Sequence, residues 1–303
     1  MVRYVLSLDG GGVRGLATLH FLKELDIYLK ERYNRCINDV FSLYSGTSVG
    51  GMIASCLACD KTPDEIVEYV DENIGIVFKR KGLSFPWSNK YSSVGIDELI
   101  AGIIPDIQMK DVNKPFLATA YNTTLRKPTV FNNQSTSLYS DDSVPLRKVI
   151  EATSAAPIFF APVEIEENTF YIDGGVICID PVLSGYAAAN KHWNNEKIMV
   201  LSVGTGQCPQ KSINPSSHWG ILNWLWYGKL VDIILEASDE LGRDHMDMLI
   251  GKDYLRINSK LERNIPMDSA KELDLSYLKC LGKRWMSDYR SDIDKFFEKL
   301  QHF

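Results

Sequence analysis

The stretch Gly46-Thr47-Ser48-Val49-Gly50 leaves this chain few options, because it reads G-x-S-x-G where a strand-like run meets a helix-like one. Val40-Phe41-Ser42-Leu43-Tyr44 precedes it, and Gly51-Met52-Ile53-Ala54-Ser55-Cys56-Leu57-Ala58 follows it. A serine held on a sharp strand-to-helix turn needs small neighbours, and Gly46 and Gly50 supply them. The helix start beyond it offers free amide N–H groups and a positive dipole end, both suited to a developing oxyanion. A bare pentad of this kind occurs by chance in many chains. In this context it points to a serine nucleophile.

Strand-like and helix-like segments alternate along the chain, the pattern of a largely parallel sheet flanked by helices. Residues 4–8 read as a strand, followed after a glycine loop by a helix to about residue 33, with Leu16, Leu19, Leu22, Leu25 and Leu29 at helical spacing. After the pentad come a capped helix over 63–77, a short helix over 96–104, and strands over 116–121 and 129–131. A helix over 146–153 and a hairpin over 160–172 follow. A helix over 181–192 then leads to an apolar strand over 198–203. The remainder reads as helices over 222–250 and 277–300 with a strand over 254–257. The expected architecture is a three-layer α/β/α domain with a mainly parallel central sheet. No repeat or convincing linker divides the 303 residues, so one domain is expected, with the residues after about 260 a helical extension packed on it.

Composition excludes several classes. A net charge of −6, with no basic stripe bearing interleaved aromatics, argues against a nucleic-acid polymer as partner. The six cysteines form no framework, and the one C-x-x-C, Cys56 to Cys59, lies inside an apolar helix with no second pair to complete a zinc site. No metal and no cofactor are expected. The N-terminus lacks a signal-peptide layout and no apolar run approaches the ~20 residues of a membrane span, so a cytoplasmic protein is expected.

Asp9-Gly10-Gly11-Gly12-Val13-Arg14-Gly15 closes the first strand. Gly10, Gly12 and Gly15 match G-x-G-x-x-G, which raises a dinucleotide site. That reading needs an acid ending the second strand, and Ser45-Gly46-Thr47-Ser48 stands there instead. The other use of three glycines is to bring backbone amides to an oxyanion without side-chain obstruction. Neighbouring first and second strands would then place this loop opposite Ser48. For a base, His192, His218, His245 and His302 follow Ser48, and none sits in a short loop after a core strand. Asp173 does follow a strand, and Gly174 and Gly175 leave room around its carboxylate.

These three blocks, in this order, resemble the hallmarks of patatin-like phospholipases. The likeness extends through Ala152-Thr153-Ser154-Ala155-Ala156-Pro157 and Val203-Gly204-Thr205-Gly206, and covers residues 1 to about 260. The resemblance implies a patatin-like fold and metal-independent hydrolysis of phospholipid or other acyl-lipid esters, with transient contact to a membrane surface. Ser48 becomes the nucleophile and Asp173 the base of a dyad without histidine, and Gly10, Gly11 and Gly12 become oxyanion-hole donors. Gly46, Gly50, Gly174 and Gly175 support them. Arg14 matches a basic position of the family loop, where ordering the site or meeting phosphate competes with a structural salt bridge. Some members are effectors switched on by a cyclic nucleotide, so the resemblance admits such an activator, although no signal-binding motif is found. Two alternatives stay open: an esterase triad of Ser48, Asp173 and a histidine such as His192, and a non-catalytic nucleotide-binding protein using the glycine loop. Trp219-Gly220-Ile221-Leu222-Asn223-Trp224-Leu225-Trp226-Tyr227 is read as either core or an interfacial lid, with Phe85-Pro86-Trp87 a second lid candidate.

Overall fold

In the computed structural model, which describes residues 1–78, 88–134, 143–209 and 230–302, β1 (Val2–Leu8) lies at the centre of one eight-stranded sheet. On one side of it runs β2 (Phe41–Gly46), and on the other β7 (Lys197–Val203) followed by β8 (Tyr254–Ile257), all parallel. Beyond β2, β3 (Phe116–Asn122) is also parallel, but β4 (Lys127–Asn132), β5 (Val163–Glu166) and β6 (Thr169–Asp173) join antiparallel. The mainly parallel sheet expected from the alternation is therefore finished at one edge by antiparallel strands, which short hairpin connections make possible.

Alternation along β1 divides the core. Leu6 and Leu8 pack with α1 (Gly15–Tyr33) and α3 (Val49–Ala58) on one face, while Val5 packs with Leu43, Val200 and α7 (Val182–His192) on the other. The short α2 (Ile37–Val40) turns the chain into β2. After α3, α4 (Pro63–Asn73) opens with Pro63 in its first turn and a capping box in which Thr62 and Glu65 exchange hydrogen bonds. It stops short of residue 77, tightening into a 3-10 turn over Ile74–Ile76. Then come α5 (Val94–Ile103), α6 (Leu146–Thr153) and α8 (Leu230–Ile250). The helix expected over 277–300 is two, α9 (Glu272–Asp288) and α10 (Arg290–Phe297). They part at Tyr289, whose backbone lies at φ −101°, ψ 12° and whose hydroxyl donates to the Asn258 carbonyl.

The residues after 260 pack on α1. A Cβ at Gly282 of α9 would lie 2.2 Å from the Ala17 carbonyl oxygen, so these helices meet backbone to backbone. Trp285 beside it is fully buried, and its indole N–H donates to Ser259 Oγ at 2.8 Å. No helix among the described residues is long and apolar enough to cross a membrane. Both lid candidates, 219–227 and 85–87, lie outside the described residues.

One register decides where the ends of β2 and β6 fall. β4 occupies one edge of β3 from Leu117 to Asn122, so β2 and β6 share the other edge, arriving from opposite directions. Gly46 pairs with Ala118 and Asp173 with Ala120, two residues along the same strand. The turn after β2 and the end of β6 must then meet. The turn is crowded: a Cβ at Gly50 would sit 2.2 Å from the Leu8 carbonyl oxygen, and one at Gly46 2.3 Å from the Gly50 carbonyl oxygen. Gly50→Ala should lower stability by about 1–3 kcal/mol or more, read as a fall in the urea midpoint at unchanged slope.

Candidate active site

Ser48 sits at the head of α3 with φ 54° and ψ −125°, a conformation a non-glycine residue adopts only when its surroundings impose it. Three contacts do so. The Ser48 amide donates to Thr153 Oγ1 at 2.9 Å, the Thr47 amide to the Leu8 carbonyl at 3.2 Å, and Thr47 Oγ1 meets Thr119 Oγ1 at 2.7 Å. Thr153 ends α6, within the Ala152–Pro157 block that had no assigned role.

Asp173 ends β6 with its amide donating to the Ala155 carbonyl at 3.0 Å. Its carboxylate accepts from the Gly175 amide at 2.6 Å. Gly174 allows this turn, since a Cβ there would lie 2.1 Å from Thr119 Oγ1. The aspartate is 4 % exposed. Burial pushes its pKa up to about 6, while the Gly175 amide and the approaching Ser48 hydroxyl act to lower it. No cation contributes to that balance.

Ser48 and Asp173 line one cavity with Gly10, Gly11, Gly12 and Gly175. Apart from Ser154, the rest of its wall is apolar, with Met52 from α3, Val77 and Phe78 beyond α4, Leu99 from α5, and Phe159 and Phe160 from the segment after α6. The glycine loop does face the serine, as a Cβ at Gly10 would lie 3.4 Å from Ser48 Cβ. Its amides are not equivalent. Gly10 donates to the Ile179 carbonyl at 3.0 Å and Val13 to the Met267 carbonyl at 2.8 Å, whereas Gly11 and Gly12 have no acceptor among the described residues. The Gly10 amide is thus engaged in holding the chain after Asp173, which leaves the amides of Gly11 and Gly12 as the two without an acceptor among the described residues.

Arg14 is buried but forms no ion pair among the described residues. Its guanidinium donates to the Gly11 carbonyl (3.5 Å) and the Cys208 sulfur (3.2 Å), tying the loop to the segment after β7. It does not line the cavity. The nucleotide alternative fares no better: Gly12, at φ 59°, lies against the Met267 carbonyl, which a Cβ would approach to 2.2 Å. The chain itself covers that side of the loop. The triad alternative loses His192, which is exposed at the end of α7 against the Trp193 ring, and His245, exposed on α8. No histidine among the described residues lines the cavity. His218 lies outside the described residues, and the His302 side chain does too.

A charge network beneath the loop was not legible in the motifs. Arg256 of β8 reaches across β7 and donates to both Asp9 carboxylate oxygens, at 2.7 and 2.5 Å, and to Ser202 Oγ at 2.6 Å. Asp180 lies 3.1 Å from the same guanidinium and 3.5 Å from that of Arg243. Burial works against the Arg256 charge, but Asp9 and Asp180 outweigh it and hold it protonated. Burial likewise raises Asp9, yet the forked, two-bond geometry is that of an ionised pair.

The family model for patatin-like phospholipase matches residues 6–183. The chain belongs to that family. Membership makes it a lipid acyl hydrolase. Patatin-like protein 4 of Arabidopsis thaliana is 27% identical over 329 residues, covering 92% of this chain and 82% of that protein. A cGAMP-activated phospholipase of Vibrio cholerae is 27% identical over 301 residues, covering 89% and 84%. VipD from Legionella pneumophila shares the fold of this patatin-like chain, with a TM-score of 0.55 at 14% identity over 97% of this chain and 67% of that one. The matched span contains the serine, the aspartate and the glycine loop but stops before Arg256 and Met267.

Removing Arg256 would leave Asp9 and Asp180 buried without their shared cation. Arg256→Met should destabilise the fold by about 3–5 kcal/mol at neutral pH. The deficit should shrink as pH falls and Asp9, whose pKa burial raises, takes up a proton, which urea unfolding at pH 5 and pH 8 would compare.

Proposed function

We propose that Ser48 and Asp173 are the nucleophile and general base of a phospholipase A-type reaction on acyl esters of phospholipids. The observation that carries this reading is the register of β2 and β6 on one edge of β3, which brings a strained serine against a buried aspartate on the wall of an apolar cavity.

The acyl chain lies in the cavity with its ester carbonyl over Ser48. As Ser48 Oγ attacks the carbonyl carbon, Asp173 accepts its proton, and the amides of Gly11 and Gly12 stabilise the oxyanion. Collapse breaks the ester bond, and the proton on Asp173 passes to the departing lysolipid oxygen. Water, deprotonated by Asp173, then attacks the acyl-enzyme, and the second tetrahedral intermediate releases the fatty acid and restores the serine. An unpaired, desolvated aspartate suits both duties, because its pKa near 6 leaves it ionised at neutral pH yet basic enough to take a proton. The reaction draws only on these groups, so no metal is required. The whole chain works as one unit, since β8 and the segment around Met267 support the loop. The enzyme acts in the cytoplasm and meets the membrane surface when it turns over.

Ser48→Ala and Asp173→Asn should each abolish measurable phospholipid hydrolysis while near-ultraviolet circular dichroism stays that of the parent. Fluorophosphonate should label Ser48 in the parent chain and leave Ser48→Ala unlabelled. Substantial turnover by either variant would sink the dyad. Activity should be unchanged in a chelator.

The pH dependence has a definite sign. Only the ionised aspartate is a base, so kcat/KM should fall about tenfold per pH unit below about 6 and level off above it. The raised pKa also means that the folded state binds the extra proton, so stability declines as pH rises between about 4 and 6. Asp173→Asn should therefore gain about 3 kcal/mol over the parent at pH 8 and nothing at pH 3.

The Vibrio relative supports one further part of the reading, activation by a cyclic nucleotide such as cGAMP. Lipid hydrolysis should rise when cGAMP is added; an identical rate with and without it would remove the regulatory arm and leave the dyad standing.

A further inference from the structure

Residues 265–269 lie outside the span the family model matches, and they cross the active site. The Met267 carbonyl accepts from the Val13 amide at 2.8 Å and lies against Gly12, and Met267 lines the cavity. One residue on, the Asp268 carboxylate accepts from the Tyr91 hydroxyl at 2.7 Å and from the Lys90 ammonium. The Asp268 side chain is 11% exposed and that of Lys90 27%, so the ion pair is part-buried.

Lys90 and Tyr91 back the acyl wall. Their amides donate to the carbonyls of Ile158 (2.8 Å) and Phe159 (3.0 Å). The Tyr91 ring meets Phe78 at 5.2 Å and Phe160 at 6.1 Å, and the Lys90 ammonium lies 5.6 Å above the Phe159 ring. Phe78, Phe159 and Phe160 all line the cavity, while Tyr91 stands behind them. The crossing segment is itself anchored: Ile265 is fully buried, and Ser269 Oγ donates to Asp274 at 2.6 Å at the head of α9. Two adjacent residues thus hold the two halves of the site, a main-chain carbonyl on the oxyanion loop and a carboxylate on the aromatic wall.

We propose that this segment is a strap belonging to the active site, and that Asp268 is a positioning residue which locks the aromatic acyl wall to the glycine loop. The proposal rests on the reading of Ser48 as nucleophile. Asp268 touches no reacting atom. It acts through Tyr91 and Lys90, holding the slot that a long acyl chain fills before the ester reaches Ser48. Without it, the Lys90 charge and the Tyr91 hydroxyl lose their shared part-buried partner and the wall relaxes. A short acyl group, which does not reach the wall, is indifferent to that change.

The test compares p-nitrophenyl butyrate with p-nitrophenyl palmitate in mixed micelles, using the full chain and Asp268→Ala. The expected result is a loss of about tenfold or more in kcat/KM for palmitate, with butyrate hydrolysis and the rate of fluorophosphonate labelling at Ser48 within about twofold of the parent. Asp268→Asn, which still accepts from Tyr91 but no longer pairs with Lys90, should fall between the two. Should Asp268→Ala fail to fold, Tyr91→Phe removes only the hydroxyl and should show the same selective loss, smaller in size. Parallel losses on both esters, or no loss on either, would overturn the proposal. Failure of the underlying reading is a separate signal: residual turnover in Ser48→Ala, whatever Asp268→Ala does.

Discussion

The elbow is built where two backbones touch. The carbonyls of Leu8 and Asp9 occupy the space a side chain at residue 50 would need, and the Gly50 carbonyl occupies that of residue 46. This contact locks the start of α3 to the end of β1, and most of the site follows from it. With α3 fixed so closely, Ser48 has no relaxed backbone conformation available and is carried at φ 54°, pointing into the cavity rather than along the helix. The glycine loop, continuing from the same strand end, is brought beside it. Glycine is demanded here by packing, and the chemistry inherits the geometry.

The two buried aspartates at the strand ends show how environment divides their work. Asp9 is held in a fork by Arg256, so both of its oxygens are engaged and it serves as an anchor. Asp173 has the Gly175 amide and the nearby serine hydroxyl but no cation, so burial acts on it with little opposition. On the proposed reading, that contrast separates an anchoring carboxylate from the base.

What could be read from the chain followed how local each determinant is. The strand-to-helix turns, the glycine spacing and the Asp-Gly-Gly corner depend on adjacent residues, and all were found where the sequence put them. The mainly parallel character of the sheet followed from alternation, whereas the seating of β1 between β2 and β7 did not. The antiparallel edge was harder, since pairing β6 with β3 rather than with β5 alone is decided by partners about fifty residues away. The glycine loop hid a distinction for the same reason: three glycines look alike in sequence, and only the Ile179 carbonyl sets the first amide apart. Arg256, Met267 and Asp268 carry no local signature at all. An arginine in a four-residue strand and an aspartate after Pro266-Met267 acquire meaning only from residues 247 and 177 positions away. The break at Tyr289 is likewise invisible to helical periodicity, which continues through it.

The span between Asp9 and Arg256 also has a consequence in time. Their hydrogen bonds close a loop of 247 residues, and Arg256 can reach Asp9 only over a β7 that is already seated beside β1. Contacts of such sequence separation form late and slowly, because chain entropy must be surrendered before they repay it. Ser48 leaves the ribosome early, yet the loop that faces it lacks its anchor until the edge strand has been made and docked. A partly synthesised chain therefore carries the serine without its finished surroundings. The surroundings of Ser48 are complete only once β8 has docked, so this corner of the molecule and the far edge of the sheet are finished together.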